Sequence, residues 1–249
     1  MSGHSKWATI KRQKGAADAR RSQLFTKLAK EITVAARQGD SDPQNNARLR
    51  LAVQKARDNN MPLDNIERAI KRATGSSDAA ALTELTIEGY GPGGSAILLL
   101  ALTDNRNRTI SDVRNVFSRN NVNLGESGCV SWIFEPKGVI TVEADNIDAE
   151  ELALLAIDAG ADDVKIESGA VEIQTQQHDM EAVRKTLEER GVTISGAELL
   201  QVPKNVVRLD EKSALQSLKL LEKLEELDDV QHVFTNADFP DDVVEKYQG

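Results

Sequence analysis

The chain has 249 residues, 40% of them hydrophobic and 29% charged, the composition of a globular protein with room for two or three domains. Its longest purely apolar run, Ala96–Leu102, falls far short of the roughly 20 residues a membrane-spanning helix needs, and no apolar stretch of the secretory type follows the basic N-terminus. A cytoplasmic protein with no membrane partner is expected, and the single cysteine, Cys129, fits a reducing compartment.

The formal net charge of −9 conceals a segregation. Residues 1–72 hold sixteen Lys/Arg against seven Asp/Glu, whereas the rest of the chain holds fifteen against thirty-three. Such asymmetry is the footprint of a nucleic-acid-binding module joined to acidic domains. The plain alternative is two faces of opposite sign that attract each other within the molecule or across a dimer.

In chain order, Leu24, Phe25, Leu28, Ile32, Ala35 and Ala36 recur at helical spacing and predict a helix from Gly15 to Arg37, with Gly39 as its stop. Leu49, Ala52, Val53 and Ala56 predict a second helix over about 45–59. A third is expected from about Asp64 to Ala73, with Asp64 capping its first turn and Leu63, Ile66 and Ile70 as the buried stripe. Residues 1–75 therefore read as a basic helical domain, and 76–81 as a linker.

The period then shifts from helical to alternating. Leu85 and Ile87, the Gly-rich turn at 89–94 and Ala96–Leu102 predict a β-hairpin. A helix over 109–120 follows, then a strand in which Val130, Trp132 and Phe134 alternate. From Val139 the order is strand, helix, strand, strand, helix, strand, ending near residue 202, which is the split-βαβ, ferredoxin-like arrangement. A strand at 206–209, a Leu-rich helix and a strand at 230–235 come last. The expected fold is α+β: a three-helix domain over 1–75, a discontinuous ferredoxin-like domain formed by 82–135 with 205–240, and a second ferredoxin-like domain, 137–203, inserted in it.

Lys6, Lys11, Arg12, Lys14, Arg20 and Arg21 cluster near the N-terminus with Trp7 among them. Basic side chains neutralise phosphates and release counterions, and an indole can stack on a base. Arg106 and Arg108, with two asparagines, lie just before an expected helix start, where free amides favour phosphate. The Gly-rich turn fits neither a phosphate loop nor a dinucleotide fingerprint. His4, His178 and His232 are isolated, and neither Cys-x-x-Cys nor His-x-x-x-His occurs, so no catalytic residues, metal or cofactor are expected.

Gly3-His4-Ser5-Lys6-Trp7, Leu24-Phe25-Thr26-Lys27, Asn59-Asn60-Met61, Glu88–Gly94, Asp104–Thr109 and Asn123-Leu124-Gly125, read together, resemble the YebC/PmpR family along essentially the whole chain. The resemblance implies an N-terminal helical domain followed by two α+β domains, and no enzymatic activity, metal or cofactor. It also implies one of two roles, since members are described as transcriptional regulators that bind DNA, while related members act in protein synthesis on the ribosome.

No helix offers several base-reading side chains in a repeated context, and contacts spread over separate domains suit a large RNA surface better than a short operator. A nucleic-acid-binding regulator acting on ribosomal RNA is expected ahead of a DNA-binding transcriptional regulator, with a ligand- or protein-binding module as a third class. The sequence leaves the oligomeric state open.

Overall fold

The computed structural model describes residues 18–75, 82–143, 148–167 and 170–248. The chain divides into two compact units, Met1–Phe134 with Pro203–Gly249, and Glu135–Val202.

The first unit opens with three helices, α1 (Asp18–Gln38), α2 (Ala47–Asp58) and α3 (Leu63–Thr74). Leu28, Ile32, Ala35, Leu49, Val53, Ala56, Ile66 and Ala69 meet in one apolar cluster, the ordinary outcome of three amphipathic faces at helical spacing. Asn46 caps α2: its side chain accepts the Leu49 N–H at 3.0 Å and donates to the carbonyls of Ala35 and Asp40, tying the turn to α1. Helix α3 departs from expectation. It starts one residue early, Pro62 stands at its cap, and Asp64 makes no capping bond. Leu63 is 57% exposed rather than buried: it is the first residue of the helix, at the open end of the stripe that Ile66 and Ile70 continue into the core.

The same unit contains β1 (Thr83–Tyr90), β2 (Ala96–Thr103), helix α4 (Arg106–Arg119) and, after the second unit, helix α7 (Glu211–Glu225), β8 (Val230–Thr235) and helix α8 (Asp241–Gln248). Strands β1 and β8 flank β2 antiparallel, in the order β1-β2-β8. Leu85, Ile87, Ile97 and Leu99 share a core with Val113 and Phe117 of α4 and Leu218, Leu221 and Leu224 of α7. At Gly89 any Cβ would meet the Phe117 ring, so a side chain there would drive strand and helix apart. Gly93 and Gly94 take φ of 68° and 78° in the turn between β1 and β2, a conformation that only glycine adopts without strain.

The expected strand over 130–134 does not form. Ser131–Ile133 is one turn of 3-10 helix, and Trp132, expected to alternate inward and outward with its neighbours, is 65% exposed. The cause lies far away in sequence. The Glu88 carboxylate accepts the N–H groups of Gly128, Val130 and Ser131 at 2.7–2.8 Å, curling this segment around itself and withdrawing those donors from any ladder. The edge of β1 meets only a bridge between Gly89 and Leu124. Residues 206–209 likewise give only the two-residue β7 (Val207–Arg208), paired in parallel with β9 (Ala237–Asp238). The sheet of this unit thus has three strands plus a separate short ladder.

The second unit runs from β3 (Phe134–Glu143, whose first residue belongs to the first unit) through α5 (Ala149–Asp158), β4 (Asp163–Glu167), β5 (Ala170–Thr175) and α6 (Met180–Glu189) to β6 (Ile194–Pro203). Its strand order β4-β5-β3-β6 is that of a ferredoxin-like sheet. Register places Ile140 opposite Ile173 and Val142 opposite Val171 on one buried face. The other face carries Thr141 opposite Glu172, with Lys165 next in line.

Candidate nucleic-acid interface

Lys6, Trp7, Lys11, Arg12 and Lys14 lie outside the described residues. Arg20 falls in the first turn of α1, and Arg21 beside it is exposed.

Further along α1, three polar side chains turn inward onto the end of α7. Gln23 donates its amide to the Glu226 carbonyl and to the Asp228 carboxylate at 3.1 Å. Lys27 donates to the Glu225 carbonyl, and Lys30 to the Asp228 carbonyl at 3.1 Å. The Glu225 and Glu226 carbonyls are among those that a helix end leaves without intrahelical donors, and cations are favoured there by the helix dipole. Intramolecular attraction between the basic helices and an acidic segment, the plain alternative of the sequence, therefore operates for Lys27 and Lys30.

Asp229 is the centre of this joint. Its carboxylate, 9% exposed, takes Lys30 at 2.7 Å on one oxygen. The other oxygen takes Arg108 at 3.0 Å and the hydroxyls of Thr109 at 2.7 Å and Thr103 at 3.1 Å. Burial pushes this carboxyl up, but the bonds from Lys30, Thr109 and Arg108 more than reverse it and hold it well below the usual carboxylate range. A second clasp joins Arg48 of α2 to Glu84 of β1 at 2.6 Å, with Gln38 on the same carboxylate.

Helix α4 begins earlier than expected, so Arg106 and Arg108 stand in its first turn rather than before it. Asn105 caps it, accepting the Arg108 N–H at 3.1 Å. Arg108 is committed to Asp104 and Asp229, whereas Arg106 is exposed and has no carboxylate partner among the described residues. The groove that α4 and α1 line with residues 226–229 holds Asp112, Glu226, Asp228 and Asp229 against Lys30 and Arg108, a balance that repels phosphate.

Two exposed aromatics escaped sequence reasoning. The Tyr90 hydroxyl donates to the Cys129 carbonyl at 3.2 Å and the Trp132 indole N–H to the same oxygen at 3.0 Å, fixing both rings beside the Glu88 turn. Burial and then the Glu88 charge push the Cys129 thiol up, which makes it a poor nucleophile at neutral pH. Among the described residues no cluster of three or more His, Cys, Asp or Glu could hold a metal ion, and no helix is long and apolar enough to cross a membrane.

Comparison with known proteins agrees with this architecture. Residues 5–76 match the model of the TACO1/YebC protein N-terminal domain, and residues 82–237 that of the TACO1/YebC second and third domain. "Probable transcriptional regulatory protein DET0444" of Dehalococcoides mccartyi is 62% identical over 247 residues, covering 99% of this chain and 98% of that protein. A "probable transcriptional regulatory protein" of Chloroflexus aggregans is 56% identical over 250 residues, with 99% of each chain covered. The crystal structure of the conserved hypothetical protein Aq1575 from Aquifex aeolicus superposes with a TM-score of 0.84 at 47% identity, covering 90% of this chain and 93% of that one. Two family domains in order along nearly the whole length, with relatives well above half identical, place this chain in the TACO1/YebC family.

Proposed function

We propose that this protein is a non-enzymatic, nucleic-acid-binding regulator of gene expression, acting on RNA in association with the ribosome. The observation that carries the reading is the charge segregation: an excess of nine cations in residues 1–72 of a chain that is otherwise strongly acidic. The joint uses Lys27 and Lys30 but leaves exposed Arg21 uninvolved, and Lys6, Lys11, Arg12, Lys14 and Arg20 remain the candidate phosphate contacts, with Trp7 a candidate stacking group. Arg106 and Arg108, in the first turn of α4, are further candidate contacts. Arg108 would contribute only through the part of its guanidinium that its carboxylate partners leave open, since its side chain is 49% exposed.

A second reading, a DNA-binding transcriptional regulator, is favoured by the names of the relatives. Both are tested by the salt dependence of binding to ribosomal RNA fragments and to promoter DNA. Each phosphate contact contributes about 0.7–0.9 to the slope of log affinity against log salt. The Lys11→Glu/Arg12→Glu/Lys14→Glu variant should therefore lose about 2 from the slope on the physiological target. Tighter, sequence-selective binding to promoter DNA would favour the second reading, and an unchanged slope would assign the patch to something other than phosphate.

A further inference from the structure

Helix α4 has a composition unlike anything else beyond residue 72. That part of the chain holds fifteen Lys/Arg and thirty-three Asp/Glu; α4 alone has four of the fifteen, all arginine, and one of the thirty-three, Asp112. Arg108 is paired, but Arg106, Arg114 and Arg119 are exposed with no carboxylate partner among the described residues. An ordinary solvated face looks different, and α6 supplies the contrast. There Arg184 pairs with Glu181 and Glu188, and Lys185 with Glu189, so that the charges cancel locally.

Away from Asp112, which faces the acidic groove, the polar residues between the arginines are amide and hydroxyl. At 3.6 residues per turn, Asn107, Ser111, Arg114 and Asn115 fall within about 100° of arc, opposite the Thr109, Val113 and Phe117 side that faces the core. Arginine forks suit phosphate oxygens, while asparagine and serine suit sugar hydroxyls and base edges.

We propose that the outer face of α4 is a contact surface for double-helical RNA, with Asn107, Ser111 and Asn115 toward the minor groove and phosphates met by Arg114 on that face and by Arg106 and Arg119, exposed at the two ends of the helix. This rests on the nucleic-acid reading above and adds the surface and the form of the ligand. Through Val113 and Phe117 the helix lies on the β1-β2-β8 sheet, so it offers a broad face and not a protruding edge. The wide, shallow RNA minor groove with its displayed 2′-hydroxyls accepts such a face, whereas the major groove of B-DNA, about 8.5 Å deep, demands penetration. The ferredoxin-like sheet of the second unit is a poorer candidate, since its polar face presents Thr141, Glu172 and Lys165 in place of the aromatic side chains on which such sheets stack bases.

The test uses the full-length chain with an RNA duplex of about 20 base pairs, the DNA duplex of the same sequence and the single strands. The Arg106→Glu/Arg114→Glu/Arg119→Glu variant is compared with Lys185→Glu/Lys212→Glu/Lys219→Glu, which changes net charge equally at exposed sites elsewhere. The corresponding Arg→Gln set, checked for native circular dichroism, guards against misfolding. The α4 variants should weaken RNA-duplex binding by about 10- to 100-fold at low salt and reduce the salt slope by about 2, the control set far less. Asn107→Ala/Asn115→Ala should narrow the preference for RNA over DNA and leave the slope unchanged. Equal losses in the α4 and control sets, or tighter binding of the DNA duplex, would overturn the proposal while leaving nucleic-acid binding intact. A wild-type chain that bound none of these ligands would overturn both.

Discussion

Two buried carboxylates organise the first unit, and they are satisfied in different ways. Glu88 is held by backbone N–H groups from one short segment, so its task is local: it shapes the 128–131 turn and fixes Tyr90 and Trp132 next to it. Asp229 is held by side chains from distant parts of the chain, Lys30 from the helical region and Arg108, Thr109 and Thr103 from the sheet region. The helical and sheet cores are separate apolar clusters, and polar contacts around Asp229 and Glu84 help to join them. A backbone-satisfied carboxylate stiffens a loop; a side-chain-satisfied one couples two bodies and exposes that coupling to salt and pH.

The largest effect should come from removing the centre of the joint. Asp229→Ala leaves Lys30, Thr103 and Thr109 without their shared acceptor and should cost about 2–3 kcal/mol, below the usual loss for a broken buried pair because Arg108 and Lys30 keep some access to water. Thermal or urea unfolding measures the loss. Limited proteolysis between residues 75 and 82 should also accelerate, which a purely local defect would not cause.

Glu88→Gln comes next. One amide oxygen cannot replace a carboxylate that accepts three N–H groups, and about 1.5–2.5 kcal/mol should be lost. The signature is local: Trp132 fluorescence and exchange of the Gly128, Val130 and Ser131 amides should change while protection of the helical region does not. Proteolysis near 75–82 as fast as in Asp229→Ala would erase the distinction between the two carboxylates.

Acid should affect both. Each carboxyl is held below its ordinary value in the folded state, so its stabilisation is complete above the unfolded value, near pH 4, and is lost as pH falls through the folded one. In that window the unfolded chain binds more protons and stability rises with pH. Asp229→Asn and Glu88→Gln should each flatten the slope below about pH 4. The smallest effect belongs to the exposed Arg48–Glu84 clasp, where Arg48→Ala should cost about 0.5 kcal/mol and less at high salt, by urea unfolding.

Local order was legible in the sequence and long-range satisfaction was not. The apolar periodicity of 24–36 and 49–56 gives α1 and α2, and the strand-helix alternation after Val139 gives the ferredoxin-like unit, because amphipathic spacing is a property of neighbours. The segment 130–134 alternates as a strand should, yet it wraps a carboxylate more than forty positions away, and no local pattern announces that. Lys27 and Lys30 count in the sequence only toward the basic excess of residues 1–72 for the same reason: their partners, 225–229, lie nearly two hundred residues on. Arg114 and Arg119 belong to no motif; what sets them apart is the burial of Val113 and Phe117 behind them and, among the described residues, no carboxylate paired with them. The helix at Asp241–Gln248 was also missed, being only two turns long and anchored by Val243 in the core.

The central claim is that this chain acts on RNA through its basic surfaces. In-cell crosslinking followed by sequencing of both RNA and DNA tests it most directly, comparing the native protein with the Lys11→Glu/Arg12→Glu/Lys14→Glu variant. The account predicts enrichment on ribosomal RNA at discrete positions that is lost in the variant, with DNA signal diffuse across the genome. Discrete promoter peaks that vanish in the variant, with no enrichment on ribosomal RNA, would contradict it and make the protein a DNA-binding transcriptional regulator.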